Sequence, residues 1–124
     1  MYILDFTIEK IPKSLNKSLR ANRFERMREN KAFDALIHFE CLGKMPKKPL
    51  MKAHLTITRH SHRTLDFDGL VGSMKPLVDA LVSCGVLSDD SWKVLGPWSV
   101  HQVFRSKKLD PLIRVIVQEV PIDE

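Results

Sequence analysis

The sequence predicts an α+β domain: a small mixed β-sheet packed against helices, in the order β-α-β-α-β-β. Three observations lead there. Two segments alternate apolar and polar residues with the period of a half-buried strand. Two others repeat apolar residues at helical spacing, and a pair of strand-like runs follows them. A length of 124 residues suits one domain, residues 1–124, with a modest single core.

Taken in order, Tyr2, Leu4, Phe6 and Ile8 alternate with Ile3, Asp5 and Thr7, which makes the opening strand. Pro12, Ser14 and Asn16 in "IPKSLNK" then interrupt regular structure. From Met27 to Leu42 a helix is expected, with Phe33, Leu36, Ile37 and Glu40 on successive turns and Gly43 as its stop. "KMPKKP" reads as a basic, proline-broken loop. Met51 to Arg59 is a second strand, with Ala53, Leu55 and Ile57 set against His54, Thr56 and Thr58.

Asp68 to Ser83 is helical, with Leu70, Val71, Met74, Leu77, Val78 and Leu81 on one face. Pro76 either kinks this helix or delays its regular start to near Lys75, and Gly85 suits the C-terminal cap. Trp98–Phe104 and Leu112–Val120 are the last two strands, and the "RSKKLDP" between them predicts a hairpin. Internal repeats and low-complexity tracts are absent.

Composition is that of a globular protein, with 44% hydrophobic and 28% charged residues, so neither disorder nor a fibrous fold is expected. No apolar run approaches the roughly 20 residues of a membrane span, and the first residues lack a signal-peptide pattern. A cytoplasmic protein is the expectation. In that setting Cys41 and Cys84 are read as separate, buried, small hydrophobic residues rather than a disulfide or a metal pair.

The formal net charge is +5, and its distribution says more than its size. Lys10, Lys13, Lys17, Arg20, Arg23, Arg26, Arg28 and Lys31 crowd one segment, and Cys41 to Leu65 contains no acid. Blocks of this kind favour a polyanionic partner, although a solvated basic surface would explain them too. The acids that follow shift the balance.

"DFDGL" sets Asp66 and Asp68 at the mouth of the second helix. Asp68 alone could be a helix N-cap, which leaves Asp66 unexplained. A haloacid-dehalogenase motif would need an apolar strand before the first aspartate and a threonine after the glycine; "RHSHRT" and Leu70 stand there instead. An EF-hand loop would need its glycine in sixth place and more oxygen ligands. At 100° per residue, Asp68, Gly72, Lys75 and Asp79 share a polar stripe, within which Lys75 and Asp79 can pair.

Asp89 and Asp90 come just after the glycine turn, and a chain that doubles back would carry one of them to Asp66 and Asp68. Three converging carboxylates repel one another without a cation. Oxygen ligands alone suit Mg2+ or Mn2+ rather than zinc. In a basic surface, such a site matches phosphodiester hydrolysis, with one metal or two.

These residues resemble the RusA family of Holliday junction resolvases, particularly the phage and prophage forms. "PKSLN" at Pro12–Asn16 is similar to the family's P-x-S-x-N entry. "DFDGLVGSMKPLVDALVSCGVLSDDS" is similar to its D-x-D-N-L, Lys, D-A-L, glycine turn and D-D. The resemblance spans most of the chain.

It implies a RusA-like mixed sheet and a homodimeric endodeoxyribonuclease that cuts four-way or branched DNA with Mg2+ (Mn2+ as a substitute) in recombination and repair. The setting it implies is a bacterial cell or a phage-infected host. The implied metal ligands are Asp66, Asp68 and Asp90, and Lys75 would be a phosphate contact or a transition-state cation. Arg20, Arg23, Arg26, Lys31, Arg63 and Lys75 are the expected DNA contacts. Gly69 stands where the family commonly has Asn, which weighs on metal affinity or rate and keeps open a DNA-binding protein of this fold with little or no catalysis.

Among the other residues, His60 and His62 lack the soft ligands of a zinc site and read as an exposed strand end. Trp92 and Trp98 read as core or dimer packing rather than base stacking, and Phe24 as packing rather than a junction wedge.

Overall fold

A computed structural model of the chain describes residues 1–9 and 23–122, with residues 23–30 described by their backbone alone. Among the described residues four strands and four helices follow one another as β1 (Ile3–Ile8), α1 (Arg23–Cys41), β2 (Ala53–Ser61), α2 (Phe67–Ser73), α3 (Lys75–Ser83), α4 (Trp92–Leu95), β3 (Ser99–Phe104) and β4 (Leu112–Glu119). The strands form one mixed sheet in the order β1-β4-β2-β3. The α+β class expected from the residue patterns is therefore the one observed. No helix among the described residues is long and apolar enough to cross a membrane.

The expected hairpin is not formed. β4 lies between β1 and β2 and is antiparallel to both, whereas β3 pairs in parallel with the far edge of β2. The 105–111 connection arcs over the end of β2, where the Arg105 amide donates to the Ser61 carbonyl at 3.0 Å. The reason lies in composition. β4 (LIRVIVQE) is apolar enough for a central position, while β3 (SVHQVF) leaves His101, Val103 and Phe104 exposed, as suits an edge.

One face of the sheet carries the core. Leu4, Phe6 and Ile8 of β1 stand opposite Val117, Val115 and Ile113 of β4, and Leu55 and Ile57 of β2 continue the layer. Phe33, Ile37 and Cys41 of α1 close over it, as do Leu70, Met74, Leu77, Val78 and Leu81 from the second helical region. Leu36, expected in the α1 stripe, sits at its margin and is exposed. On the opposite face Arg114 grips Asp5 with two bonds, Nε to Oδ1 at 3.1 Å and Nη2 to Oδ2 at 2.7 Å.

The single helix expected over 68–83 is two. α2 ends at Met74, which is fully buried, and α3 starts at Lys75 with Pro76 in its first turn. Proline lacks the amide donor that an uninterrupted helix would need there, so the chain restarts instead of kinking. α3 ends at Cys84, and Gly85 (φ +93°) reverses the chain into Val86 and Leu87, both buried. The Leu50 amide donates to the Val86 carbonyl at 2.9 Å and the Ser88 amide to the Leu50 carbonyl at 3.0 Å, so the returning segment is held on the body of the fold.

Candidate active site

β2 runs on past Arg59 to Ser61, two residues beyond the expected end, because Arg59 and Ser61 take the inward positions in turn. A polar side chain at an inward position escapes a pattern built on hydrophobicity. Arg59 Nη1 donates to the Arg63 carbonyl at 2.6 Å, and the Arg63 amide donates to Ser61 Oγ at 3.2 Å. Burial depresses the Arg59 pKa.

Gln102, opposite Arg59 on β3, holds the next residue at two points. The Leu65 amide donates to Gln102 Oε1 at 3.0 Å, and Gln102 Nε2 donates to the Leu65 carbonyl at 2.7 Å. The turn that delivers the aspartates is thereby clamped to the sheet. Nothing in the local sequence marks Gln102 for this task, and it was not anticipated; inward Arg59 broke the alternation and was the visible sign.

Asp66, not Asp68, is the N-cap. Its backbone is extended (φ −66°, ψ 167°) and its Oδ1 accepts from the Gly69 amide at 2.9 Å. Asp68 lies in the first turn of α2, exposed, where a carboxylate complements the helix dipole. Gly69 has a structural reason of its own: a Cβ there would stand 2.6 Å from Asp66 Oδ1. Glycine lets the capping carboxylate lie against the helix.

Lys75, first in α3, places its ammonium where a helix N-terminus repels cations. Two carboxylates offset this. Asp79 Oδ1 is 3.3 Å away, the expected i,i+4 pair, and Asp90 Oδ2 accepts a short hydrogen bond from Lys75 Nζ. The bond to Asp90 is the main cause that raises the Lys75 pKa, and the same bond lowers that of Asp90. The chain doubles back, and it carries Asp90 to Lys75 rather than into a group with Asp66 and Asp68. Asp90 and Phe67, the residue between the two motif aspartates, line one open cleft of about 570 Å3 with Val71, Trp92, Trp98 and His101.

Grouping is less complete than expected. Among the described residues no three His, Cys, Asp or Glu side chains stand close enough to hold a metal ion. The donor chemistry of Asp66, Asp68 and Asp90 fits a hard cation, and all three are exposed, but one is engaged as a cap and another by Lys75.

Of the expected DNA contacts, Arg63 and Lys31 are exposed. Lys31 shares a hollow with Asp34, Pro76, Asp79, Ala80 and Ser83, which sets α1 beside α3. Arg23 and Arg26 lie on the first turns of α1, with only their backbone described; Arg20, like the "PKSLN" motif, falls outside the described residues. The side chain of Phe24 is likewise outside the description. Trp98 packs against the core, whereas Trp92 is 74% exposed at the rim of the cleft and so is not part of the core of the chain. His60 is a half-buried strand residue and His62 is exposed beyond it.

A comparison with models of known protein families finds no match for this chain, and a search of curated proteins finds none either, so the resemblance to the resolvases stands on the motifs themselves.

Proposed function

We propose that the chain is a Mg2+-dependent, structure-selective endodeoxyribonuclease that resolves Holliday junctions and related branched DNA by paired phosphodiester hydrolysis. The supporting observation is the return of Asp90 to Lys75, with Phe67 of the Asp66/Asp68 turn in the same cleft. Asp90 and Lys75, distant in the sequence, are paired, and the aspartate turn borders the same cleft through Phe67.

Asp66, Asp68 and Asp90 would hold the ion, which when bound supplies Lewis acidity and a nucleophilic water. Lys75, at the same edge, offsets negative charge that grows on the phosphate. Arg63 and Lys31, with Arg20, Arg23 and Arg26, hold the backbone of the arms. The clamp of Gln102 and Arg59 keeps the aspartate turn in place before DNA arrives, so less ordering is left to the bound state. A two-fold homodimer matches a substrate with two-fold symmetry and gives paired cuts.

The test is nicking of a synthetic four-way junction with Mg2+ or Mn2+. Asp68→Asn and Asp90→Asn should each slow cutting by about 100-fold or more, and cutting at the parental rate by both variants refutes the site.

A second reading, a branched-DNA-binding protein with weak or no catalysis, draws on the engagement of Asp66 as a cap and of Asp90 by Lys75. It predicts salt-sensitive junction binding by the parent protein without cleavage.

A further inference from the structure

Two large aromatic side chains beside the aspartates face water. Phe67 is 72% exposed and Trp92 is 74% exposed, and both line the open cleft of about 570 Å3, together with Trp98, which packs against the core. Core packing accounts for Trp98 and leaves Trp92 without a use inside the chain. Grouped apolar surface of this kind marks a place where something binds.

Neither ring owes its exposure to a loose backbone. In the short α4 helix Val94 and Leu95 are buried and anchor the turn that presents Trp92. The Val94 and Leu95 amides both donate to the Ser91 carbonyl at 3.0 Å, and the Gly96 amide donates to the Trp92 carbonyl at 2.8 Å. Phe67 opens α2 directly after the capping Asp66, and Gln102 clamps the preceding turn through Leu65. Rings held on fixed backbone lose little freedom when a ligand stacks on them.

Their places in the chain indicate the ligand. Phe67 stands between Asp66 and Asp68, and Trp92 follows Asp90 by two residues. Asp90 itself lines the cleft and also holds the Lys75 ammonium. A cation suited to phosphate and rings suited to a base therefore adjoin through Asp90. In DNA one sugar separates a base from its phosphate, so a protein that grips a single nucleotide must offer these two chemistries side by side. The pairing of ring and cation selects a nucleotide over a purely apolar occupant.

We propose that this cleft takes up one unpaired nucleobase from the branch point of a DNA junction and stacks it on Trp92 and Phe67. The inference rests on the reading of the chain as a protein of branched DNA, and it is independent of whether the chain cuts. Bases within a duplex are paired and stacked on one another, whereas a base at a branch point leaves its stack at lower cost. Every base has a π-face, so stacking adds structure selectivity without requiring a particular sequence.

The test uses the full chain in EDTA, so that no metal-dependent cutting intervenes. A four-way junction carries iododeoxyuridine either at the branch point or in the middle of an arm, and long-wavelength irradiation joins that base to an aromatic ring stacked on it. Peptide mass mapping should place the branch-point crosslink on Trp92 or Phe67, with no such crosslink from the mid-arm base. Trp92→Ala and Trp92→Leu should each weaken junction binding about tenfold, and Trp92→Phe by less than about threefold. Affinity for a linear duplex should not move in any of the three. Because Trp92 is exposed, these variants leave the core intact. Junction-selective binding with crosslinks elsewhere, or with equal affinity for the parent and Trp92→Ala, overturns the inference and leaves the branched-DNA reading standing. Failure of the parent to prefer the junction over the duplex overturns both. Dissociation of a dimer by Trp92→Ala in sedimentation would assign the ring to packing between two copies and overturn the inference as well.

Discussion

Gly69→Ala tests the local logic of the aspartate turn. The new methyl would sit 2.6 Å from Asp66 Oδ1, inside the 3.0 Å below which such contacts do not occur, while Asp66 Cγ is 3.8 Å away. Rotating the carboxylate relieves the clash and breaks its bond to the Gly69 amide. Loss of a cap costs about 1 kcal/mol. Alanine in place of helical glycine returns about 1 kcal/mol, and Gly69 has no positive φ to complicate the exchange. Gly69→Ala alone should therefore be close to neutral. With Asp66→Ala already in place the cap is gone, and the same change should stabilise by about 1 kcal/mol.

Urea unfolding, followed through Trp92 and Trp98, reads this as a double-mutant cycle with a coupling of about 1 kcal/mol, or about 0.5 M in midpoint. A cycle that closes to zero, with Gly69→Ala stabilising the parent as much as the Asp66→Ala variant, refutes the proposed conflict. Gly69→Asn, the residue common in the resolvases, should displace the Asp66 carboxylate in the same way. If the nuclease reading is right, it should increase Mg2+-dependent nicking.

Three further outcomes are expected. Gln102→Leu removes both bonds to Leu65 and should cost about 2 kcal/mol, with faster amide exchange concentrated over 65–70; unchanged exchange there would show that the clamp does nothing. Tyr2, the sole tyrosine, has its pKa raised to about 12, chiefly by burial, so its ultraviolet titration should come near 12 in the native protein and near the ordinary 10.0 in denaturant. A raised folded pKa gives stability that is whole below 10.0 and lost as pH climbs towards 12, so alkaline unfolding should begin in that window. Lys75→Met removes an exposed pair and should change stability by less than about 1 kcal/mol, while the Asp90 carboxyl, observed by NMR, moves up towards the ordinary 3.8. An unmoved Asp90 would mean that the ion pair does not persist in solution.

Residue periodicity revealed the individual elements well, because Leu4, Phe6 and Ile8, or Leu77, Val78 and Leu81, must face one core whatever lies across it. Which strands pair is a different matter. Nothing within β3 names its neighbour, and a short connection to β4 imitated a hairpin although β2 lies between them. The helical stripe ran unbroken through Met74 because burial of its apolar side chain looks the same in a helix and at a break. At the site, the i,i+4 relation made Lys75–Asp79 readable, and the glycine turn hinted at the return of Asp90. Asp66 rather than Asp68 is the cap, a distinction that spacing does not make because a helix start can shift by a residue or two. The Gln102 clamp depends on tertiary approach, which leaves no trace in spacing.

The placement of β4 has a consequence for how the molecule is made. β1 and β2 never touch as strands; each binds β4, which is the last of the four along the chain. A polypeptide emerging N-terminus first can pair β2 with β3, but β1 has no correct partner and the other edge of β2 stays open until residues 112–119 arrive. The sheet closes in one late event. During synthesis, chaperone protection is needed most in the interval just before it.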